Sequence, residues 1–364
     1  MRMSSLAGPV AAAAFVLCAS TAQAGILVPI PPVPGSISTG VGDINNNNVI
    51  AGSYTTADGV SHGYFGTLNG NYTTFDVPDG TGGPGPLDDE GNLIGETNPS
   101  QTCIYGGCGW RRDLDGSIKL FSKSHAPIDG VIGDVSGKSF VGDYRYIGDD
   151  GFFHVVPYVG KGTKYVADIS LPFDTIHASV RGFHGSRFVE GWFRDRDDGN
   201  RDRGFVMKDG VAKAYDYPDE SAFITQFERM NNKGLIAGSW YDGEQTYGKA
   251  FLFNWRNEKF LPITLSGTYV YAASVNDAGL AIIGADDTSY LYCPHKKACP
   301  IHSASAIEVP DKWIAARNVE ERVCPHGCWQ PHLAAAVKTV SPLATRAAIA
   351  RDPELQRELH LPLR

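Results

Sequence analysis

The amino-acid sequence predicts an all-β protein, a β-propeller of six blades, or of seven if a partial blade follows the last full repeat. Three observations support this class: an export-type N-terminus, a composition rich in turn and strand formers, and a strand-and-turn pattern that recurs six times at intervals of 43 to 49 residues. A near-constant interval of this length is typical of proteins built from stacked structural repeats.

The N-terminus has the three parts of a secretory signal peptide. Arg2 gives it a positive start, Leu6 to Leu17 form an apolar run, and Ala22-Gln23-Ala24 matches the small-residue pattern of a cleavage site. The run is shorter than the roughly 20 residues that span a bilayer, which disfavours a membrane anchor. Cys18 does not follow a lipoprotein box, so a lipid anchor is the weaker alternative. We expect residues 1–24 to be removed and the protein to be secreted or periplasmic.

The composition favours short strands joined by tight turns. The chain of 364 residues contains 42 glycines, 16 tyrosines and 17 phenylalanines. Glycine adopts the positive φ angles that tight turns need, and aromatic side chains suit the pleated surface of a sheet. The net charge of −8 gives no positive surface for nucleic acid, so we expect no nucleic-acid partner.

Each repeat begins with a polar turn, continues with apolar residues and closes on a glycine. Asp43 to Tyr54 is the clearest copy. Asparagine and aspartate in such a turn can accept hydrogen bonds from the backbone a few residues ahead, as Asx turns do. The closing glycines of the six copies are Gly52, Gly95, Gly142, Gly191, Gly238 and Gly284.

The second half of each repeat predicts two more strands. An Asp-Gly pair, as at Asp58-Gly59, suits a type I′ hairpin, in which both central residues have positive φ. A triplet of a basic or polar, a small and an aromatic residue follows, and then a strand that ends in proline, as at Phe75 to Pro78. The triplets are His62-Gly63-Tyr64, Cys108-Gly109-Trp110, Arg203-Gly204-Phe205 and Lys249-Ala250-Phe251, with Phe153-His154 and Ser289-Tyr290-Leu291 at this place in units three and six.

A unit therefore has three clear strands, and the segment after the proline has room for a fourth. Four short strands with their turns fill one propeller blade. A β-solenoid usually has shorter coils, and a pair of β-sandwiches would not keep one period through the middle of the chain. We therefore expect a closed ring of blades over residues 36–310, in which the first and last units touch.

The two ends of the mature chain differ from the repeat. Residues 25–35 are rich in proline and predict an extended linker or a lead-in strand. Residues 311–364 form a non-repeat extension, in which Ser341-Pro342 and Asp352-Pro353 each look like an N-cap followed by proline at the first helical position. We expect a short helical tail there, and Trp313 to Val323 is the segment that could add a seventh, partial blade.

The motifs of these repeats resemble those of one known family. The turn and strand from Ile44 to Tyr54, followed by His62-Gly63-Tyr64 and by Thr73 to Pro78, resemble the bacterial extracellular proteins with HAF repeats, named for a His-Ala-Phe tripeptide. The match is closest in unit one, good in unit five and looser in the other four units, and together the units cover residues 36–310. The resemblance implies an exported repeat protein with a propeller-like fold, and it implies no catalytic residues.

Six cysteines follow the signal peptide, in three close pairs. They are Cys103 with Cys108, Cys293 with Cys299, and Cys324 with Cys328. An even number in an exported chain predicts disulfides, and short loops cost the least entropy to close. Cys293-Pro294-His295 and Cys324-Pro325-His326 could instead hold zinc, but the cysteine spacings are not those of a zinc knuckle. We predict three local disulfides and no metal site.

The segment from Arg194 to Arg203 is the most charged part of the chain. Its four aspartates, Asp195, Asp197, Asp198 and Asp202, could supply oxygen ligands to calcium. Their spacing does not match a calcium-binding loop, and the arginines between them would repel a cation. We therefore predict a solvated hairpin turn, lengthened in unit four.

No local motif predicts catalysis. The sequence lacks a nucleophile elbow, a zinc-binding His-Glu-x-x-His and a phosphate-binding loop. The five tryptophans from Trp110 to Trp313 suit core strands better than a sugar-binding platform. The sequence therefore favours a monomeric binding or scaffold module over an enzyme, without a cofactor, whose partner is an extracellular protein or a glycan.

The alternative function is a hydrolase or lyase with its active site in the central channel of the propeller. Carboxylates or histidines from different blades could converge there without leaving a local motif in the sequence. Two or more such groups that converge in one apolar-walled pocket, with perturbed pKa values, would favour this alternative.

Overall fold

The structure is a computed structural model that describes residues 25–76, 83–97, 101–104, 107–123, 126–149, 151–175, 177–184, 188–243, 248–266, 269–301 and 305–324. Over these residues the regular elements are β-strands, with one short 3-10 turn at Lys296–Ala298. The predicted all-β class is confirmed. The predicted signal peptide and helical tail lie outside the described residues. No helix in the described part is long and apolar enough to cross a membrane.

The first two repeat units each fold into a four-stranded antiparallel sheet. Strand β1 (Gly25–Pro29) comes first in the chain but joins the last sheet. Unit one contains β2 (Ser38–Ile44), β3 (Val49–Thr55), β4 (Ser61–Thr67) and β5 (Tyr72–Phe75), and unit two contains β6 (Gly83–Leu87), β7 (Leu93–Glu96), β8 (Gly109–Arg112) and β9 (Ile118–Leu120). In both sheets, strands that follow each other in the chain are neighbours.

The third unit forms a sheet of six strands. They are β10 (Ser122–Lys123), β11 (Ala126–Pro127), β12 (Ile132–Ser136), β13 (Ser139–Ile147), β14 (Phe153–Lys161) and β15 (Lys164–Asp168). The last four make a meander like those of units one and two, and β10 and β11 extend its outer edge beside β15.

Units four and five belong to one larger sheet. Unit four contains β16 (Ala178–His184), β17 (Phe188–Asp195), β18 (Arg201–Lys208) and β19 (Val211–Asp216), and unit five contains β20 (Ala222–Met230), β21 (Leu235–Asp242), β22 (Gly248–Asn254) and β23 (Lys259–Ile263). Each unit is an antiparallel meander of four strands, and one parallel pair, Asp202 with Ile224, joins them.

The last unit is completed by the first strand of the chain. It contains β24 (Val270–Val275), β25 (Ala281–Ala285), β26 (Thr288–Cys293) and β27 (Ile307–Val309). Strand β1 lies between β26 and β27, antiparallel to both, so that Leu27 pairs with Tyr292 on one side and Ile307 on the other. The proline-rich lead-in is therefore a strand that joins the start of the described chain to its last sheet.

The C-terminal segment lies along two outer edges. Strand β28 (Ile314–Ala315) pairs with β23, and β29 (Arg317–Val323) pairs with β19. These strands cover backbone groups that an edge strand would otherwise leave unpaired. Trp313 to Val323 therefore extends an existing sheet and adds no sheet of its own among the described residues.

The first strand of each unit lies innermost. These strands are β2, β6, β12, β16, β20 and β24, and each lies beside the first strand of the next unit, while β24 also lies beside β2. They surround a central channel, which is a propeller-type arrangement. Each of these strands comes after one or more prolines in the chain. This is the segment in which the repeat pattern leaves room for a fourth strand.

The hydrophobic core lies between neighbouring sheets. One cluster of buried side chains combines Val28 of β1, Ile50 of unit one and Leu291 of unit six. The first and last units are therefore in direct contact, as the sequence predicts for a closed ring.

The closing glycines are required because the second strand of each unit approaches the innermost strand closely. A Cβ atom on Gly52 would lie 2.0 Å from the carbonyl oxygen of Gly40. In five units an aromatic residue of the third strand stands directly opposite the glycine. These residues are Tyr64, Trp110, Tyr158, Phe205 and Phe251.

This register corrects two of the triplets. In unit three Tyr158, and not Phe153-His154, provides the aromatic residue, because the β13–β14 hairpin extends well beyond the glycine. In unit six Ser289 stands opposite Gly284, so the triplet lies two residues before Ser289-Tyr290-Leu291 and has no aromatic residue. The short turn between β25 and β26 starts the third strand early in this unit.

The polar turns form a hydrogen-bonded belt at one end of the channel. The side-chain oxygen of Asn231 accepts hydrogen bonds from the backbone of Lys233 and Leu235, which is the predicted Asx turn. Its amide group donates to the carbonyl oxygen of Asn276 in the next unit at 2.7 Å. Asn276 donates in turn to Asn45 of unit one at 3.1 Å. The repeated asparagines therefore fix each turn and also join neighbouring units.

Candidate functional site

The channel is shaped by a β-bulge that recurs in all six innermost strands, three residues before the polar turn. A bulge leaves a residue without a partner across the ladder and redirects its side chain. The residues at the bulges are Gly42, Gly85, Gly133, Arg181, Glu228 and Ala273, and all of them line one cavity.

The small bulge residues leave space in the channel, and the two large bulge residues, Arg181 and Glu228, line this space. Four of the six bulge residues are glycine or alanine, and the cavity beside them has a volume of about 460 Å³. Arg181 of unit four and Glu228 of unit five extend from the same position in the repeat. Their side chains form an ion pair with 3.6 Å between Nε and Oε2.

A second carboxyl group reaches this cavity from unit two. Glu96 is the last residue of β7 and lines the cavity together with Arg181 and Glu228. Its Oε2 atom is buried and has no hydrogen-bond partner in the described part of the chain. Burial raises the pKa of Glu96 to about 7, and the guanidinium groups of Arg181 and Arg145 limit the rise. Near neutral pH, Glu96 is therefore present both as the acid and as the carboxylate.

Glu228 has a different environment. Burial raises the pKa of Glu228, and the charge of Arg181 opposes this rise. Burial lowers the pKa of Arg181, but the carboxylates around it, Glu228 first, raise it further, so Arg181 stays charged. The cavity thus holds one carboxyl group beside a permanent cation and another that can carry a proton at neutral pH.

Part of the cavity wall is aromatic. Tyr241, Tyr269 and Tyr271, from units five and six, form this tyrosine wall. The ring centres of Tyr241 and Tyr269 are 5.6 Å apart and their hydroxyl groups 3.2 Å apart. Tyr269 is 48% exposed, which places it at the mouth of the cavity.

Arg229 closes the deep end of the cavity. Its guanidinium group, which comes from unit five, contacts Asp43 of unit one at 3.1 Å and Asp134 of unit three at 2.6 Å. Both carboxylates are buried, and Ser274 of unit six also donates to Asp43. We call Arg229, Asp43 and Asp134 the arginine floor. It separates the cavity from a second one, of about 320 Å³, at the belt of polar turns.

Glu190 lies next to the arginine floor. It occupies space beside Gly182, where a Cβ atom would lie 1.9 Å from its Oε1 atom. Burial first, and then the charge of Asp134, raise the pKa of Glu190 to about 8, while Arg229 acts in the opposite direction. At neutral pH Glu190 is therefore mostly protonated.

The cysteines singled out from the sequence lie away from this cavity. Disulfides join Cys103 to Cys108, with Cα atoms 5.3 Å apart, and Cys293 to Cys299, with Cα atoms 5.4 Å apart. Cys324 is also disulfide-bonded, and its predicted partner Cys328 lies outside the described residues. The chain over the described ranges brings no three metal-ligating side chains together.

The charged segment of unit four is a hairpin turn between β17 and β18, as predicted. Two of its aspartates are not free ligands, because Asp195 pairs with Arg203 at 3.1 Å and Asp202 pairs with Arg194 at 2.8 Å. Both carboxylates are buried. The arginines of this segment therefore neutralise charges within unit four and its C-terminal strand.

Sequence reasoning missed Glu96, Arg181 and Glu228. The available signal is a departure from the repeat: the position three residues before the polar turn holds glycine or alanine in four units, but Arg181 and Glu228 in the other two. Glu96 stands directly after the closing glycine, where most units have a smaller side chain. Residues that break a repeat at a position facing the channel are candidates for function.

Comparisons with known proteins add little to this site. No protein-family model and no curated protein matches the chain. A solved structure of a gluconolactonase from Xanthomonas campestris is 12% identical, with a TM-score of 0.45, and the match covers 75% of this chain and 91% of that one. Another structure, provisionally described as a gluconolactonase, is 11% identical, with a TM-score of 0.43 and coverage of 74% and 91%. Similarity at this level carries no argument about substrate or mechanism.

Proposed function

We propose that this protein is a hydrolase whose active site is the channel cavity, with Glu96 and Glu228 as the pair of carboxyl groups. The observation that carries the proposal is the convergence of these two groups, both with raised pKa values, in one cavity beside Arg181. Carboxyl groups from different units that meet in one cavity with raised pKa values favour an enzyme over a binding module.

Hydrolysis needs one group that donates a proton to the leaving oxygen and one that accepts a proton from water. The two carboxyl groups can perform one task each. Protonated Glu96 donates its proton to the leaving oxygen as the bond to that oxygen breaks. Glu228, whose carboxylate form is favoured by the charge of Arg181, accepts a proton from the attacking water, whose hydroxide joins the other fragment. A pair of carboxyl groups in different environments is the arrangement that general acid and general base catalysis requires.

The test is a substrate screen of the full chain against chromogenic glycosides, esters and lactones. We expect one class to be turned over, and we expect Glu96→Gln to lower kcat by about a hundredfold or more because the proton donor is lost. The rate of the unchanged protein should fall as pH rises above about 7, since Glu96 then loses its proton. Glu220→Gln, at an exposed site, is the matched control.

Three outcomes would contradict this proposal. Turnover that is equal in the Glu96→Gln and Glu220→Gln variants would remove Glu96 from the reaction. Binding of a ligand in the cavity with no turnover of any class would favour the binding or scaffold module with a glycan or protein ligand. An unsaturated product would identify a lyase instead of a hydrolase.

We also propose that the six units are the blades of a closed six-bladed propeller. The support is the cycle of contacts among the six innermost strands and the pairing of β1 with β26. The phrases in units one and five support membership of the HAF-repeat family. Cleavage after Ala24 would leave Gly25, the first residue of β1, at the N-terminus of a secreted or periplasmic protein, and the disulfides are compatible with that compartment.

A further inference from the structure

Both arginines that line the channel cavity are already paired with carboxylates. Arg181 is paired with Glu228, and Arg229 is paired with the two aspartates of the floor. An anionic ligand would therefore have to compete with these carboxylates for the guanidinium groups. The cavity also offers donors and acceptors close together, because guanidinium and phenol groups donate and carboxylates accept. A neutral ligand with many hydroxyl groups can satisfy both kinds of group.

The tyrosine wall adds apolar ring faces to the cavity. Tyr269 stands at the mouth and Tyr271 lies two residues deeper along the innermost strand, with partly buried rings whose centres are 5.9 Å apart. Aromatic rings present an apolar face and a polar hydroxyl edge. A pyranose ring has the matching chemistry, since its C–H groups form an apolar face and its hydroxyl groups form the rim.

The depth of the cavity limits which part of a saccharide can enter. The arginine floor connects units five, one and three across the channel, so a chain that enters at Tyr269 meets Arg229 and cannot pass through. A volume of about 460 Å³ lies in the range of sites for small ligands. The cavity can therefore accept the end of a chain but not an internal segment.

We propose that the cavity binds the terminal unit of a neutral saccharide against the tyrosine wall, and that the protein acts on chain ends. The second half of this inference rests on the hydrolase function proposed above, and the first half does not. The two are tested separately by measuring binding in a variant that cannot react and turnover in the unchanged protein.

Binding is measured by titration calorimetry on the full chain carrying Glu96→Gln. The ligands are a panel of linear neutral oligosaccharides and their methyl glycosides, with a cyclic oligosaccharide, which has no chain end, as the control ligand. We expect at least one linear ligand to bind and its cyclic counterpart to bind at least about tenfold more weakly. Uronic acids are expected to bind more weakly than their neutral counterparts.

Variants of the tyrosine wall locate the ligand. Tyr269→Ala should weaken binding about tenfold, the effect of losing roughly 50 Å² of apolar contact, and Tyr269→Phe should restore it because the ring face is kept. Tyr269 is half exposed, so its replacement should leave the fold intact. Tyr146→Ala, outside the cavity, is the matched control.

The outcomes separate the two proposals. Saccharide binding that depends on Tyr269, without turnover in the unchanged protein, would support the ligand class and overturn the hydrolase function. Turnover of an ester with no saccharide binding would overturn the ligand class and keep the hydrolase function. Equal binding of cyclic and linear saccharides, or a Tyr269→Ala variant that binds as before, would overturn the inference that chain ends occupy this cavity.

Discussion

The guanidinium group of Arg229 neutralises two buried carboxylates at once. Asp43 and Asp134 are each no more than 4% exposed, and each also accepts backbone hydrogen bonds from the neighbouring unit, from Leu87 and Phe183 respectively. Buried charges are tolerated only when they are paired, because the loss of hydration is expensive. Arg229 therefore stabilises the channel as well as closing it.

Arg229→Met should lower the free energy of unfolding by about 3–5 kcal/mol at pH 7, because it leaves two carboxylates buried and unpaired. Urea denaturation followed by circular dichroism measures this. The control is Arg196→Met, whose ion-pair partner Asp174 is 57% exposed and whose loss should have little effect. If the Arg229 and Arg196 variants are equally stable, the floor is not the electrostatic support described here.

The ionisation of Glu190, next to the arginine floor, makes the stability of the protein depend on pH. Its pKa of about 8 in the folded protein lies above the usual 4.5, first because of burial and then because Asp134 is near. Between these two values the folded protein binds more protons than the unfolded chain, so stability falls as pH rises through this window. Glu190 contributes least to the stability of the folded protein when it is ionised, at the alkaline end of this pH range.

Glu190→Gln should flatten this dependence. The melting temperature of the unchanged protein should fall from pH 5 to pH 9 more steeply than that of the variant, and the variant should be the more stable of the two above about pH 8. Thermal unfolding in buffers of matched ionic strength gives the comparison. Glu308→Gln, at an exposed site, is the control and should keep the dependence of melting temperature on pH that the unchanged protein has. An equally steep dependence in the Glu190→Gln variant would mean that Glu190 is not its source.

At the scale of single strands, the repeat specifies the distance between the first and second strands of a unit. Gly52 of β3 pairs with Val41 of β2 and lies against the backbone of Gly40, the residue before Val41. A Cβ atom on Gly52 would collide with the carbonyl oxygen of Gly40, whereas a Cβ atom on Gly40 would meet no atom within 4 Å. These two neighbouring glycines thus have opposite tolerances.

Gly52→Ala should therefore cost about 1–3 kcal/mol of stability, the usual effect of forcing extra atoms into a packed region. Gly40→Ala should change stability by no more than about 0.5 kcal/mol. Chemical denaturation of the two single variants measures both changes in stability. Equal costs for the two substitutions would mean that strands β2 and β3 can shift enough to admit the methyl group.

The elements also show where sequence reasoning succeeds and where it stops. The Asx turns, the closing glycines and the strand after the proline could be predicted, because each depends on the chemistry of a few neighbouring residues. The bulges before the polar turns could not, because a bulge is defined by the pairing with the second strand and not by composition. Arg181 and Glu228 were missed for this reason.

Over the whole molecule, the residues of the candidate site come from units two, four and five, which are far apart in sequence. Glu96 and Glu228 are separated by most of three repeats. Their distance in space depends on how the units are ordered around the channel, which the sequence specifies only through the period of the repeat. The class of fold could therefore be predicted, whereas the meeting of the two carboxyl groups needed the three-dimensional arrangement.

Strand β1 joins the first unit to the last one. Leu27 and Val28 are buried in β1, which lies between β26 and β27. Val28 packs in the core between the first and last units, and Leu27 packs in the core between the last two units. All other neighbouring units are joined by continuous chain, whereas this joint depends on non-covalent pairing between the start of the described chain and its last sheet. Removing β1 would expose the edges of β26 and β27.

A chain that starts at residue 36 should therefore lose the cooperative unfolding of the longer protein and melt at a lower temperature. A synthetic peptide of residues 25–35, added in excess, should raise the melting temperature in proportion to the logarithm of its concentration, because it binds only the folded state. The same peptide with Leu27→Asp should have no effect, since it would bury an unpaired charge at a fully buried position. If the shortened chain melts as the longer one does, or if both peptides act alike, β1 does not close the ring.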